Sequence, residues 1–170
     1  LKNGANWIND VTGGRRDEEI LDVVSEFKCP FVITHSRGDS KNMNNLTNYD
    51  DFLVDIIHSL ESLTKKAIGK NISKDKIIWD PGIGFSKDTN QNIEILKNMD
   101  FFKKFEFPLL IGASRKRFIG EILNEPNPKE RDIGTLAISC LCSQQNIHLV
   151  RVHNVIINSQ ILKVADQIFR

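Results

Sequence analysis

The chain has 170 residues, 40% hydrophobic and 26% charged, with 23 Lys and Arg against 22 Asp and Glu for a formal net charge of +1. That is the make-up of an ordinary globular domain spanning residues 1–170. A near-neutral balance gives no reason to expect nucleic acid or an acidic membrane surface as partner, and no apolar run approaches the ~18 residues of a membrane span.

Leu1 to Ala5 reads as the tail of a helix-to-strand connection, with Gly4 as a helix stop. Trp7 to Val11 is strand-like and is broken by Gly13-Gly14. Asp17 to Phe27 reads as a helix, with Ile20, Leu21, Val23, Val24 and Phe27 on its apolar face and acidic residues at the positive end of its dipole. Pro30 to Thr34 is the next strand, ending in His35-Ser36-Arg37-Gly38, and a polar loop follows from Asp39 to Asn48. Tyr49 to Ile68 has the spacing of a long amphipathic helix. Lys76 to Asp80 is a third strand, stopped by Pro81, with Gly82 and Gly84 permitting tight turns.

Asn90 to Phe105 reads as one helix and Phe107 to Ile111 as a fourth strand, followed by Gly112 to Lys116 and a short helix through Leu123. Lys129 to Gln145 reads as a helix whose apolar middle, Leu136 to Cys142, predicts thorough burial. His148 to Val152 is the fifth strand, and Ile156 to Arg170 closes the chain as a helix. Strands alternating with helices imply a parallel sheet with helical crossovers. Cys29, Cys140 and Cys142 are odd in number and lack C-x-x-C spacing, so they read as buried thiols of a reducing compartment.

Each strand ends in polar residues: Asn9-Asp10, His35-Ser36-Arg37, Asp80, Ser114-Arg115-Lys116, and Arg151 with His153. In a parallel sheet these ends share one face, where such folds keep their chemistry. Each cluster also has a structural reading. Asn9 or Asp10 could cap a turn, His35 could be a satisfied core histidine, Ser114 a helix N-cap, and Lys116 and Arg151 solvated. Taken together, Asp80 and Asn9 suit a heterocycle with amino and lactam groups, because a carboxylate accepts two hydrogen bonds and an amide both donates and accepts. Arg151, His153 and Lys116 suit an anion, and Ser114 at a helix start would favour a carboxylate or phosphate.

The ordered set Ile8 to Gly14, Thr34 to Gly38, Asp80-Pro-Gly-Ile-Gly-Phe85, Gly112 to Gly120 and Arg151-Val-His153 resembles the dihydropteroate synthases over nearly the whole chain, with a fungal-type flavour in His35 to Asp39. The resemblance implies a (β/α)8 TIM barrel that joins (dihydropterin)methyl diphosphate to 4-aminobenzoate with Mg2+, releasing diphosphate. It implies Asp80, Asn9, Lys116, Phe85 and Ser36 at the pterin, and Ser114, Lys116 and Phe85 at the aminobenzoate. Arg151 and His153 fall at the diphosphate, and Lys116, Arg151 and His153 are the expected catalytic groups. Family members often carry Met or Thr where Ser36 stands.

A barrel needs eight strands in ~250 residues, and five are legible. The expectation is therefore an incomplete barrel, with its first three strands and the metal ligand outside this chain, inactive alone and with open sheet edges. A homodimer, fusion to other folate-synthesis domains, and a cytoplasmic or mitochondrial location complete the expectation. Rival readings are a pterin-binding methyltransferase domain, a non-catalytic remnant of the barrel, and a sugar-phosphate barrel.

Overall fold

A computed structural model describes residues 1–39 and 41–170; Ser40, inside the expected polar loop, lies outside the described residues. Strands β1 (Ile8–Asp10), β2 (Phe31–Thr34) and β3 (Ile77–Asp80) pair in parallel in that order, with Ile8 opposite Phe31 and Phe31 opposite Ile77. β4 (Leu110–Ile111) pairs in parallel with β5 (Leu149–Val150). A single bridge between Trp79 and Leu109 joins the two groups, and Trp79 N–H donates to Pro108 O at 2.9 Å. The five strands thus lie in chain order, and all their C-terminal ends face the same way.

Helices α1 (Glu19–Phe27), α2 (Phe52–Gly69), α3 (Thr89–Lys97), α4 (Met99–Lys103), α5 (Arg117–Leu123), α6 (Asp132–Gln144) and α7 (Val155–Phe169) carry the crossovers. β2 and β3 are buried along their whole length, which is why both read as continuous apolar runs. Leu21 and Val24 of α1 and Ile56, Leu60 and Leu63 of α2 cover them. Each fully buried Leu or Ile of this kind contributes ~1.5–3 kcal/mol. Trp79 fills the space between β3 and the helices. Its ring stacks on Phe107 at 4.6 Å between centroids, and its indole N–H donates to Thr64 Oγ1 at 2.9 Å, so the one polar atom of a buried indole is satisfied.

Four expectations change. The Asn90–Phe105 helix is two helices broken at Asn98, whose side-chain amide donates to Glu94 O at 2.8 Å and competes with the helix's own ladder. Residues 128–131 form a 3-10 turn, so α6 begins only at Asp132. The apolar middle of α6 is not thoroughly buried. Its buried face is Thr135, Ser139, Cys142 and Ser143, while Ile133 is 77% exposed. Small polar residues face inward because they bond across: Ser139 Oγ to Asn158 Oδ1 at 2.7 Å and Ser143 Oγ to Asp166 Oδ1 at 2.5 Å, both on α7. Finally, Cys29 and Cys142 are buried thiols but Cys140 is only half-buried. Among the described residues, no helix is long and apolar enough to cross a membrane.

Candidate functional site

The turn after β3 begins with Asp80, which is fully buried. Its Oδ1 accepts from Gly82 N–H at 2.8 Å. Its Oδ2 is ion-paired with Arg151 Nη1 at 3.0 Å but has no well-aligned hydrogen-bond donor. A buried carboxylate oxygen without an aligned donor is uncommon and costly. Burial pushes the Asp80 carboxyl above its ordinary range, and Arg151 and the Gly82 amide pull it partly back.

Arg151 also donates from Nη1 to Asn9 Oδ1 at 2.5 Å. One guanidinium therefore joins the ends of β1, β3 and β5, so the two outermost strands curve toward each other. Room for it comes from Gly112, where a Cβ would lie 2.5 Å from Arg151 Nη2. Asn9 Nδ2 donates to Thr34 Oγ1 at 3.3 Å.

A cavity of about 500 Å³ opens above this group, lined by Asn9, Phe85, Ser114, Lys116, Arg151 and His153 among others. The Lys116 ammonium sits 4.2 Å from the Phe85 ring centroid, a cation–π contact. Burial lowers the Lys116 pKa, Asp80 raises it and Arg151 lowers it. Gly84, with φ +79°, lets Lys116 pass, since a Cβ there would meet Lys116 Cδ at 3.0 Å. Ser114 Oγ takes His153 N–H at 3.2 Å and lies 3.0 Å from His153 Nδ1.

Six of the eight residues expected at the site thus line one cavity, with Asp80 beneath it. Ser36 is placed apart. It lines a neighbouring cavity of about 530 Å³ with Arg15, Arg16 and Arg37, which shares Val11 and Phe85 with the first. Ser36 Oγ donates to Val11 O at 2.7 Å and accepts from Arg15 Nη2 at 2.9 Å, so it ties two loops together.

Ser114 does not stand at a helix start. The helix begins at Arg117 with Lys116 as its N-cap residue, because Arg115 adopts φ +58° and turns the chain first. Ser114 belongs with His153 and Arg151 instead.

The structural readings hold for Asp10 and His35, and Arg115 of the strand-end clusters is also held in a structural pair. Asp10 caps its own turn, accepting from Thr12 N, Thr12 Oγ1 and Gly14 N at 3.0, 2.7 and 2.6 Å. Arg115 pairs with Asp132 through two 2.8 Å bonds. His35 is buried against Lys87, and burial with the neighbouring cations pushes its pKa down to about 2. Sequence reading missed Arg15 and Lys87. A basic residue just after Gly13-Gly14 or after Asp80–Ser86 is the only signal, and it is easily read as solvated. Among the described residues, no three His, Cys, Asp or Glu come together as a metal site. Asp10 is spent on its turn and Asp80 faces a guanidinium, so these residues do not by themselves fit Mg2+.

Residues 1–153 match the model of the family described as pterin binding enzyme. The chain is 41% identical over 170 residues to dihydropteroate synthase of Synechocystis, covering all of this chain and 59% of that protein. It is 39% identical over 175 residues to the folic acid synthesis protein fol1 of Pneumocystis carinii, covering 24% of that protein. A solved dihydropteroate synthase of Clostridium difficile, in the presence of pteroic acid, superposes with a TM-score of 0.90 at 35% identity, covering 99% of this chain and 62% of the other. The chain therefore spans about three-fifths of the Synechocystis and Clostridium proteins, and shares the fold of the Clostridium enzyme over that span. With the strand-end group of Asn9, Asp80, Lys116 and Arg151 in place, the conclusion is that this chain belongs to the pterin-binding enzyme family.

Proposed function

We propose that this chain supplies the pterin and diphosphate half of a dihydropteroate synthase. The observation that carries the reading is Asp80: a buried carboxylate at a strand end whose Oδ2 lacks an aligned donor. The N–H/NH2 edge of a dihydropterin offers the donors that this oxygen and Asn9 would take. Lys116 and Phe85 wall the ring and the aminobenzoate beside it. Arg151 and His153, with Ser114 orienting the imidazole, receive the diphosphate.

In the reaction the carbon–oxygen bond between methylene and diphosphate breaks, and diphosphate leaves with the electron pair. The amine lone pair of 4-aminobenzoate forms the new carbon–nitrogen bond, and that nitrogen sheds a proton. The arylamine is neutral near pH 7, so no dedicated base is required. Arg151, Lys116 and His153 stabilise charge as it develops on the leaving group, the largest effect such preorganised donors have. The site aligns amine and carbon. Any Mg2+ would be held by ligands outside these residues and would add charge to the same leaving group.

We assign the first three strands of the barrel, and any further folate-synthesis domains, to sequence outside these 170 residues. Exposed Ile156, Val164 and Ile168 on α7, each more than 60% accessible, are assigned to a face that meets a second copy. The test is turnover of dihydropterin-methyl diphosphate and 4-aminobenzoate by the full-length protein, with formation of dihydropteroate and diphosphate expected. Methyl transfer from a methylated pterin, with no diphosphate release, would favour the methyltransferase reading instead. The 170 residues alone are expected to be inactive.

A further inference from the structure

The loop between β3 and α3 holds a charge that the reaction above leaves unused. Lys87 is only 3% exposed. Its Nζ lies 2.8 Å from His35 Nδ1, 3.0 Å from Gly82 O and 2.9 Å from Phe85 O. A neutral amine has two N–H donors and an ammonium three. Burial pushes the Lys87 pKa well below its ordinary value and Asp80 pulls it back up; the three acceptors at these distances are the geometry that favours the ammonium, with His35 as the Nε2–H tautomer.

A buried ammonium needs an anion nearby, and the loop supplies one through a single peptide. Gly82 N–H donates to Asp80 Oδ1 at 2.8 Å, while Gly82 O accepts from Lys87. Gly82 has φ +73°, and a Cβ there would meet His35 O at 1.8 Å, so the turn closes on β2 only with glycine. The other cation at Asp80, Arg151, has a side chain 38% exposed and is the group assigned to diphosphate.

We infer that Lys87 is a positioning residue: a buried ammonium that clamps the Asp80–Phe85 loop onto β2 and keeps Asp80 ionised when Arg151 turns to the diphosphate. The inference rests on Asp80 as the pterin anchor. The charged groups that face Asp80 are Arg151, Lys87 and Lys116; those that face Lys87 are Asp80, Arg37 and Lys116, with neutral His35 in contact. Burial raises the Asp80 pKa and Lys87 is among the groups lowering it. Removing the ammonium therefore moves the Asp80 titration up, and a protonated carboxyl is a poorer acceptor for the pterin edge.

The experiment compares full-length protein with Lys87→Met by carbon-13 NMR of the Asp80 carboxyl across pH. The Asp80 midpoint is expected to rise by at least one pH unit in the variant, and an unchanged midpoint overturns the inference. Dihydropterin-methyl diphosphate binding should weaken at least tenfold at pH 7 and recover toward pH 9. An equal loss at every pH marks a packing effect alone and overturns it. Should the variant fail to fold, nitrogen-15 NMR of the unaltered protein decides: Lys87 as ammonium at pH 7 supports the inference and a neutral amine overturns it. Absence of pterin binding by the unaltered protein would defeat the functional reading, while the Asp80 titration would still judge Lys87.

Discussion

Replacing Arg151 with Met probes the centre of the site. The variant keeps the side-chain volume but leaves Asp80, buried at 1% side-chain exposure, with only the Gly82 amide in direct contact and Lys87 and Lys116 as more distant cations. Removing one member of a fully buried ion pair costs ~3–5 kcal/mol, whereas exposed pairs are worth ~0–1 kcal/mol. Because Arg151 is 38% exposed, the expected loss lies between, at about 1–3 kcal/mol by the same principles. For a domain of this size that is roughly 2–12 °C in melting temperature.

The sign of the pH dependence follows from Asp80. Its folded-state pKa is raised above the ordinary value, and loss of Arg151 raises it further. The folded carboxyl then binds a proton more readily than the unfolded one, so the penalty is present above the folded pKa and fades as pH falls through it. Thermal melts of both proteins from pH 8 to pH 4.5 should show the largest gap at the alkaline end and a narrowing gap toward acid. In the Asp80→Asn background the same Arg151 substitution should cost about 1 kcal/mol less, a coupling a double-mutant cycle reads directly. A gap that is constant with pH, or no coupling with Asp80, would refute the assignment of this pair as the site's electrostatic centre.

Gly112→Ala should displace the Arg151 guanidinium, since the new methyl would stand 2.5 Å from Nη2; diphosphate affinity should fall by roughly 10- to 100-fold, as loss of a charge-assisted bond of ~1.5–3 kcal/mol implies, and calorimetric titration with diphosphate checks it. His35, with its pKa pushed down to about 2, should stay neutral through physiological pH. Below pH ~6.5 the unfolded chain's histidine takes a proton that the folded one refuses, so stability should fall with acidification by about 2 kcal/mol between pH 8 and pH 5 from this group. Urea unfolding of the protein beside His35→Gln measures the difference, and a His35 imidazole that titrates near pH 6.5 by NMR would contradict it.

The sheet was legible because its strands are short apolar runs with buried faces on both sides. β2 and β3 differ from expectation by one residue at most. β4 and β5 pair over two residues each; at the start of β4 Pro108 has no N–H to donate and the Leu109 N–H goes to His148 Nδ1 at 3.1 Å instead of to a strand. The Asp80 turn was legible from Pro81, Gly82 and Gly84. Lys87 was not, because sequence distinguishes a buried lysine from a solvated one only through its partners, and these come from β2 and from loop carbonyls. Ser114 was misplaced for a similar reason. The left-handed turn at Arg115 is set by its bond to Thr135 and its pair with Asp132, both far along the chain. Of Asn9 and Asp10, sequence left open which one caps; the structure gives that task to Asp10 and frees Asn9 for the site.

The central claim is that Asp80 anchors a dihydropterin as a carboxylate. Calorimetric titration of the full-length protein and its Asp80→Asn variant with dihydropterin-methyl diphosphate tests it most directly. Loss of a charged acceptor worth ~1.5–3 kcal/mol predicts roughly 10- to 100-fold weaker binding by the variant. Equal affinity in the two proteins would contradict the account.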